Sequence, residues 1–108
     1  MTDRKLLELA AKAAGMDVLP HPSSKYSPSL LFIHDGCNWN PLTDDGDALR
    51  LAVKLKLLVD GCSECARPLS DAIGWQTGDA NDDPYAATRR AIVRAAAEIG
   101  RAKEKNGA

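Results

Sequence analysis

The chain has 108 residues, 44% of them hydrophobic, with 14 Lys and Arg against 15 Asp and Glu. That length suits a single domain with one core and leaves too little for two, and the near-neutral total excludes a global field steering the protein onto nucleic acid or an anionic membrane. No apolar run approaches the roughly 20 residues of a membrane span and the start lacks the apolar segment of a secretory signal, while three cysteines suit free thiols or a metal better than a disulfide framework. A cytoplasmic protein is expected.

Thr2 or Asp3 caps a first helix through about Ala14, with Leu6, Leu9, Ala10 and Ala13 on one stripe and Gly15 placed to end it. Its charged face is Arg4, Lys5, Glu8 and Lys12. Residues 20–29 include Pro20, Pro22 and Pro28, cannot sustain a helix, and are expected as a mobile loop. Leu30 to His34 is a short apolar run stopping at Asp35-Gly36, the pattern of a buried strand leaving through a turn.

A second helix begins between Pro41 and Asp47, capped by Thr43 or Asp44, with Asp45 and Asp47 at the positive end of its dipole. Ala48, Leu51, Ala52 and Leu55 share its inward face. Leu57 to Gly61 reads as a second strand, and Asp71 to Gln76 as a weaker third, interrupted by Gly74. Asp83 caps the last helix and Pro84 opens it, where a missing N–H costs nothing. Tyr85, Thr88, Ile92, Ala95 or Ala96, and Ile99 form its inward stripe, and its many alanines permit close approach of a neighbour. Residues 103–108 read as a polar, frayed tail.

Strand, helix, strand between Leu30 and Asp60 predicts a crossover that lays the two strands parallel and brings His34 and Gly61 to one sheet edge. The expected fold is α+β: one domain spanning 1–108, with a small three-stranded mixed sheet layered with about three helices, α/β/α sandwich-like.

Trp39 to Leu55, with its Trp-Asn-Pro-Leu-Thr lead-in, together with Asp83 to Gly100 and Leu6 to Gly15, resembles the phage ABA sandwich domain of small phage and prophage proteins. The similar segments cover about half the chain. The resemblance implies a sheet with helices on its two sides, carriage by bacteriophages of proteobacterial hosts, and no catalytic residues. Leu57 to Asp82 departs from the family pattern, including Cys62-Ser63-Glu64-Cys65.

Those cysteines belong to the chemistry that can be read without the family. His34-Asp35-Gly36-Cys37 and Cys62-Ser63-Glu64-Cys65 are two knuckles with ligand types two residues apart, and His34, Cys37, Cys62 and Cys65 together would complete a tetrahedral structural zinc site. The competing reading is free cysteines acting as small hydrophobes. A redox pair at Cys62 and Cys65 needs a lowered thiolate pKa that Ala66-Arg67-Pro68 does not supply, and a Cys-His nucleophile lacks a marked oxyanion hole. The acidic runs 43–47 and 79–83 lack the spaced glutamate of a calcium loop and read as helix caps.

Arg89, Arg90, Arg94 and Arg101 lie along the last helix as a stripe, extended by Lys103 and Lys105, suited to phosphates, to an acidic protein surface, or to solvent alone. Trp39, preceding a helix start, is expected in the core; Trp75 suits either a core plug or an exposed interface anchor. The function expected from size, the lack of a catalytic constellation and the phage resemblance is a non-enzymatic phage accessory protein. It would bind a host protein or protein–nucleic-acid complex, as an inhibitor of an antiviral defence such as a CRISPR complex. The alternative is a zinc-stabilised module that binds nucleic acid directly through the last helix.

Overall fold

The structure is a computed structural model that describes residues 2–22, 31–69, 73–78 and 83–105. In chain order it has α1 (Asp3–Ala14), β1 (Leu19–Pro20), β2 (Phe32–His34), β3 (Cys37–Trp39), α2 (Asp45–Leu55), β4 (Leu58–Asp60), β5 (Cys65–Arg67), β6 (Gln76–Thr77) and α3 (Pro84–Lys105). The fold is α+β, one domain with three helices among the described residues.

Each helix starts at a side-chain cap. Thr2 accepts the Lys5 N–H at 3.1 Å, Asp44 the Asp47 N–H at 2.8 Å, and Asp83 Oδ1 the N–H groups of Tyr85 and Ala86 at 3.0 and 3.1 Å. Gly15 ends α1 in the left-handed conformation, and Lys56 does the same for α2 at φ 55°. The charged face of α1 is exposed while Leu6, Leu7, Leu9, Ala10, Ala11, Ala13 and Ala14 are buried, a wider apolar face than the four-residue stripe of the sequence. The extra width is needed because α1 packs along α3 on one flank and presents the other to α2 and the β2 residue Phe32.

The strands form two three-stranded antiparallel sheets, ordered β1-β2-β3 and β4-β5-β6, in place of the expected single mixed sheet. The cause is local. Asp35 and Gly36 both take positive φ, 52° and 77°, which makes the short hairpin turn that an Asp-Gly pair favours. The chain leaving His34 therefore turns back at once as β3, with His34 opposite Cys37 and Phe32 opposite Trp39. Beyond α2, the turn 61–64 folds β5 onto β4, with Asp60 opposite Cys65. Every strand thus finds an antiparallel neighbour close in sequence, the crossover is not made, and His34 lies in the first sheet while Gly61 lies in the hairpin turn of the second.

The helix α3 is the hub. It packs along α1, crosses α2, and carries β5 and β6 on a further side. Ala87, Ala91, Val93, Ala95 and Ala96 are fully buried, since only small side chains allow neighbours on several sides of one helix. A Cβ at Gly100 would overlap the Leu9 carbonyl of α1, and one at Gly78 the Ala87 carbonyl of α3. The end of α3 is tied down: Lys103 donates to the Ala13 carbonyl at 2.8 Å and Glu104 meets Lys12 at 3.5 Å. Residues 103–105 are therefore helical, a correction to the frayed tail, while 106–108 lie outside the described residues. Of the expected loop 20–29, Pro20 pairs in β1 and His21 donates to the Leu31 carbonyl, and 23–29 lie outside the described residues. The third strand is observed as Gln76–Thr77, with 71 and 72 also outside.

The lead-in to α2 is held by several hydrogen bonds. Trp39 is in the core, as its position before a helix predicts, and Pro41 is fully buried. Asn40, 5% exposed, accepts the Leu42 N–H on its side chain and the N–H groups of Thr43 and Asp44 on its carbonyl, while its own N–H donates to Asp47 at 3.0 Å. The backbone N–H, the carbonyl and the side-chain oxygen of a buried polar residue are thereby used to hold the chain into the helix.

A candidate partner-binding groove

The inward stripe predicted on α3 is real as a face, but its first half meets no core. Tyr85, Thr88, Arg89 and Ile92 line one wall of an open groove whose other wall is Asp45, Ala48, Leu49 and Ala52 of α2, with Val59 of β4, Gly61 and Pro84 closing its ends. Its volume is about 510 Å³. Ala48, Ala52 and Ile92 are buried beneath it, whereas Leu49 is 64% exposed, Val59 43% and Tyr85 71%. Tyr85 is thus a correction to the sequence reading: it lies one heptad before Ile92 on the same face, yet projects beyond the end of the core. Leu49 and Val53, four residues apart on α2, stand outside the buried stripe of Ala48, Leu51 and Ala52, and Val53 is also exposed. That off-stripe pair is the sequence signal that could have marked the surface.

The arginine stripe does not lie free. Arg89 donates from Nε to the Leu42 carbonyl at 2.9 Å and from Nη1 to Asp45 at 2.6 Å, locking α3 to the start of α2. Arg90 grips both oxygens of Asp3 at 3.0 and 3.3 Å, locking α3 to α1. Arg94 donates to the Thr77 carbonyl at 2.6 Å, holding β6, and Arg101 meets Glu98 at 3.6 Å within its own helix. Three of the four arginines, Arg89, Arg90 and Arg94, thus fasten α3 to other parts of the fold. Trp75 is half exposed and lies outside the groove, with the Arg67 guanidinium 5.4 Å from its ring centre.

The proposed zinc ligands are not brought together. His34 and Cys37 are cross-strand partners at the β2–β3 turn, and Cys62 and Cys65 belong to the β4–β5 hairpin of the other sheet. Among the described residues no three His, Cys, Asp or Glu side chains are grouped to hold a metal ion. The His34 ring donates from Nδ1 to the Asp17 carbonyl at 3.1 Å, and with Cys37 lines a second pocket of about 360 Å³ alongside Trp39, Asp47, Arg50 and Lys54.

Cys62 is exposed in the turn, where Asp60 Oδ1 accepts its N–H and that of Ser63 at 3.0 and 3.2 Å. Cys65 is buried in β5, and desolvation, with the Asp60 carboxylate adding to it, pushes its thiol pKa up. That is the opposite of what an activated thiolate needs. The acidic run 43–47 acts as the cap that its composition predicts, and so does Asp83, while 79–82 lie outside the described residues.

No family model, curated protein or solved structure matches this chain. Among the described residues no helix is long and apolar enough to cross a membrane.

Proposed function

We propose that the protein is a phage or prophage accessory protein that works by binding a host macromolecule, and that the partner docks a helix in the groove between α2 and α3. The observation that carries this reading is the groove itself: exposed Leu49, Val59 and Tyr85 rise around a buried apolar floor of Ala48, Ala52 and Ile92. A soluble fold gains nothing from leaving large apolar side chains around a concavity unless something covers them, and two helices flanking an apolar trough are the usual seat for a third. The phage setting comes from the resemblance of residues 39–55, 83–100 and 6–15, and inhibition of an antiviral defence such as a CRISPR complex is the role that setting suggests.

The reading as a zinc-stabilised nucleic-acid module draws less support. Its four ligands are divided between two sheets, and its phosphate-contacting arginines are already engaged by Asp3, Asp45, Glu98 and backbone carbonyls.

The test is phage plating on hosts carrying single defined defence systems, with the protein, Leu49→Glu or Tyr85→Ala supplied in trans. Plating should rise with the native chain on at least one defended host and fall back with either variant. No effect on any defended host together with no partner in a pull-down, or full activity in both variants, would contradict the proposal.

A further inference from the structure

The second pocket shares none of the groove's lining: the groove takes Asp45, Ala48, Leu49 and Ala52 of α2, the pocket Asp47, Arg50, Leu51 and Lys54. Its floor is apolar, made by buried Trp39, Leu51 and Ala14 with Met16. The β2–β3 hairpin is a further wall, where the His34 ring is pinned through Nδ1 to the Asp17 carbonyl and Cys37 is exposed. At about 360 Å³ the space holds about a dozen waters at about 30 Å³ each, the size for a small metabolite. Asp47 is the one carboxylate in the lining, and both its oxygens are in use. Its Oδ2 accepts the Asn40 N–H at 3.0 Å and its Oδ1 the Arg50 Nη2 at 2.7 Å, and the side chain is 12% exposed. Asp35 stands off the lining, 90% exposed, with the His34 Nε2 at 3.5 Å. Arg50 reaches Asp44, also outside the lining, from the same Nη2 at 3.8 Å, so its Nε and Nη1 have no hydrogen-bond partner among the described residues. Lys54, one turn farther along α2, has neither a hydrogen bond nor an ion pair among those residues. The Asp47–Arg50 pair balances, and Lys54 is the charge left over.

We propose that this pocket binds a small organic anion, a carboxylate or phosphate ester whose apolar body is about the size of one ring. The body lies against Trp39, Leu51 and Met16, and the anionic group meets the Lys54 ammonium and the open edge of the Arg50 guanidinium. An apolar floor beside an uncommitted cation engages both parts of such a molecule. A bare inorganic anion gains only the cation, and an uncharged ring only the floor.

The experiment titrates the full chain with phenylacetate, phenyl phosphate, benzyl alcohol, benzylamine and inorganic phosphate, up to the millimolar concentrations that ligands of this size require. The readout is the rate at which iodoacetamide labels Cys37 and Cys62. Both thiols are exposed, but only Cys37 lines the pocket, so protection of the first without the second locates the ligand. Phenylacetate and phenyl phosphate should protect Cys37, the tighter of the two identifying the headgroup. They should bind on the order of tenfold more tightly than the other three probes. Lys54→Gln should weaken both on the order of tenfold, while Lys5→Gln, on α1 outside the pocket, leaves them unchanged. Both lysines are exposed, so circular dichroism should show both variants folded.

Protection of Cys37 by benzyl alcohol or benzylamine as strong as by the two organic anions would overturn the anion preference, and so would protection that Lys54→Gln does not weaken. Equal protection by inorganic phosphate would overturn the role of the apolar floor. Protection of Cys37 by none of the five, or of Cys62 to the same degree, would overturn the pocket as a ligand site.

Discussion

Asn40 shows what a single residue contributes here. With its side chain and carbonyl both accepting backbone N–H groups in a nearly water-free turn, Asn40→Ala strands the Leu42 N–H and should cost about 1–3 kcal/mol, read as a lower urea midpoint at unchanged slope. Its neighbour Trp39 could be assigned to the core from position alone, because an apolar residue before a helix start packs inward. The role of Asn40 could not, because it depends on where the chain path brings Asp47.

Arg89 is a similar case. A stripe of arginines reads as a surface in one dimension, and only the fold brings Leu42 and Asp45 within reach; Arg89→Met should cost about 1.5–3 kcal/mol by urea unfolding, the scale for hydrogen bonds to a charged group. The thiols give a third prediction. Iodoacetamide should label Cys37 and Cys62 well before Cys65. Because Cys65 keeps its proton to higher pH in the folded state than in the unfolded chain, that thiol should lower stability only as pH climbs past the ordinary thiol range, and contribute nothing below it.

At the scale of elements, the helices were legible and the sheet was not. Caps and termination are written in consecutive residues, so Thr2, Asp44, Asp83 and Gly15 could be found without coordinates. Strand pairing depends on turns, and reading Asp35-Gly36 as an exit where it makes a hairpin converted two antiparallel sheets into one mixed sheet. The missed strands, Leu19–Pro20, Cys37–Trp39 and Cys65–Arg67, are two or three residues long, too short for alternation to register.

The packing of α1 on α3 is the element contact most open to test. Gly100→Ala should gain roughly 1 kcal/mol in helix propensity but forces a methyl group into the Leu9 carbonyl, an overlap with rigid backbone whose relief costs about 1–3 kcal/mol or more. The net result should be a lower thermal midpoint; a raised one would mean that the two helices are not in close contact at that level.

For the whole molecule, the α+β class and single domain follow from length and the mixture of periodicities, and both are observed. The groove was not legible, because it is made where α2, α3 and β4 leave space between them, and no one segment carries it. Its parts were all visible in the sequence with other roles: Tyr85 as core, Asp45 as a dipole partner, Leu49 unassigned. The zinc set is the converse case, since the spacing within each knuckle is suitable while the topology puts the knuckles on separate sheets.

The central claim is that partners meet the α2–α3–β4 groove and not the arginine stripe or Trp75. It is tested most directly by mapping backbone amide shifts of labelled protein as amphipathic helical peptides with one leucine face are added. The account predicts the largest changes at Asp45 to Val53, Leu58 to Gly61 and Tyr85 to Ile92; changes centred instead on Arg94 to Arg101 or on Trp75, with the groove silent, would contradict it.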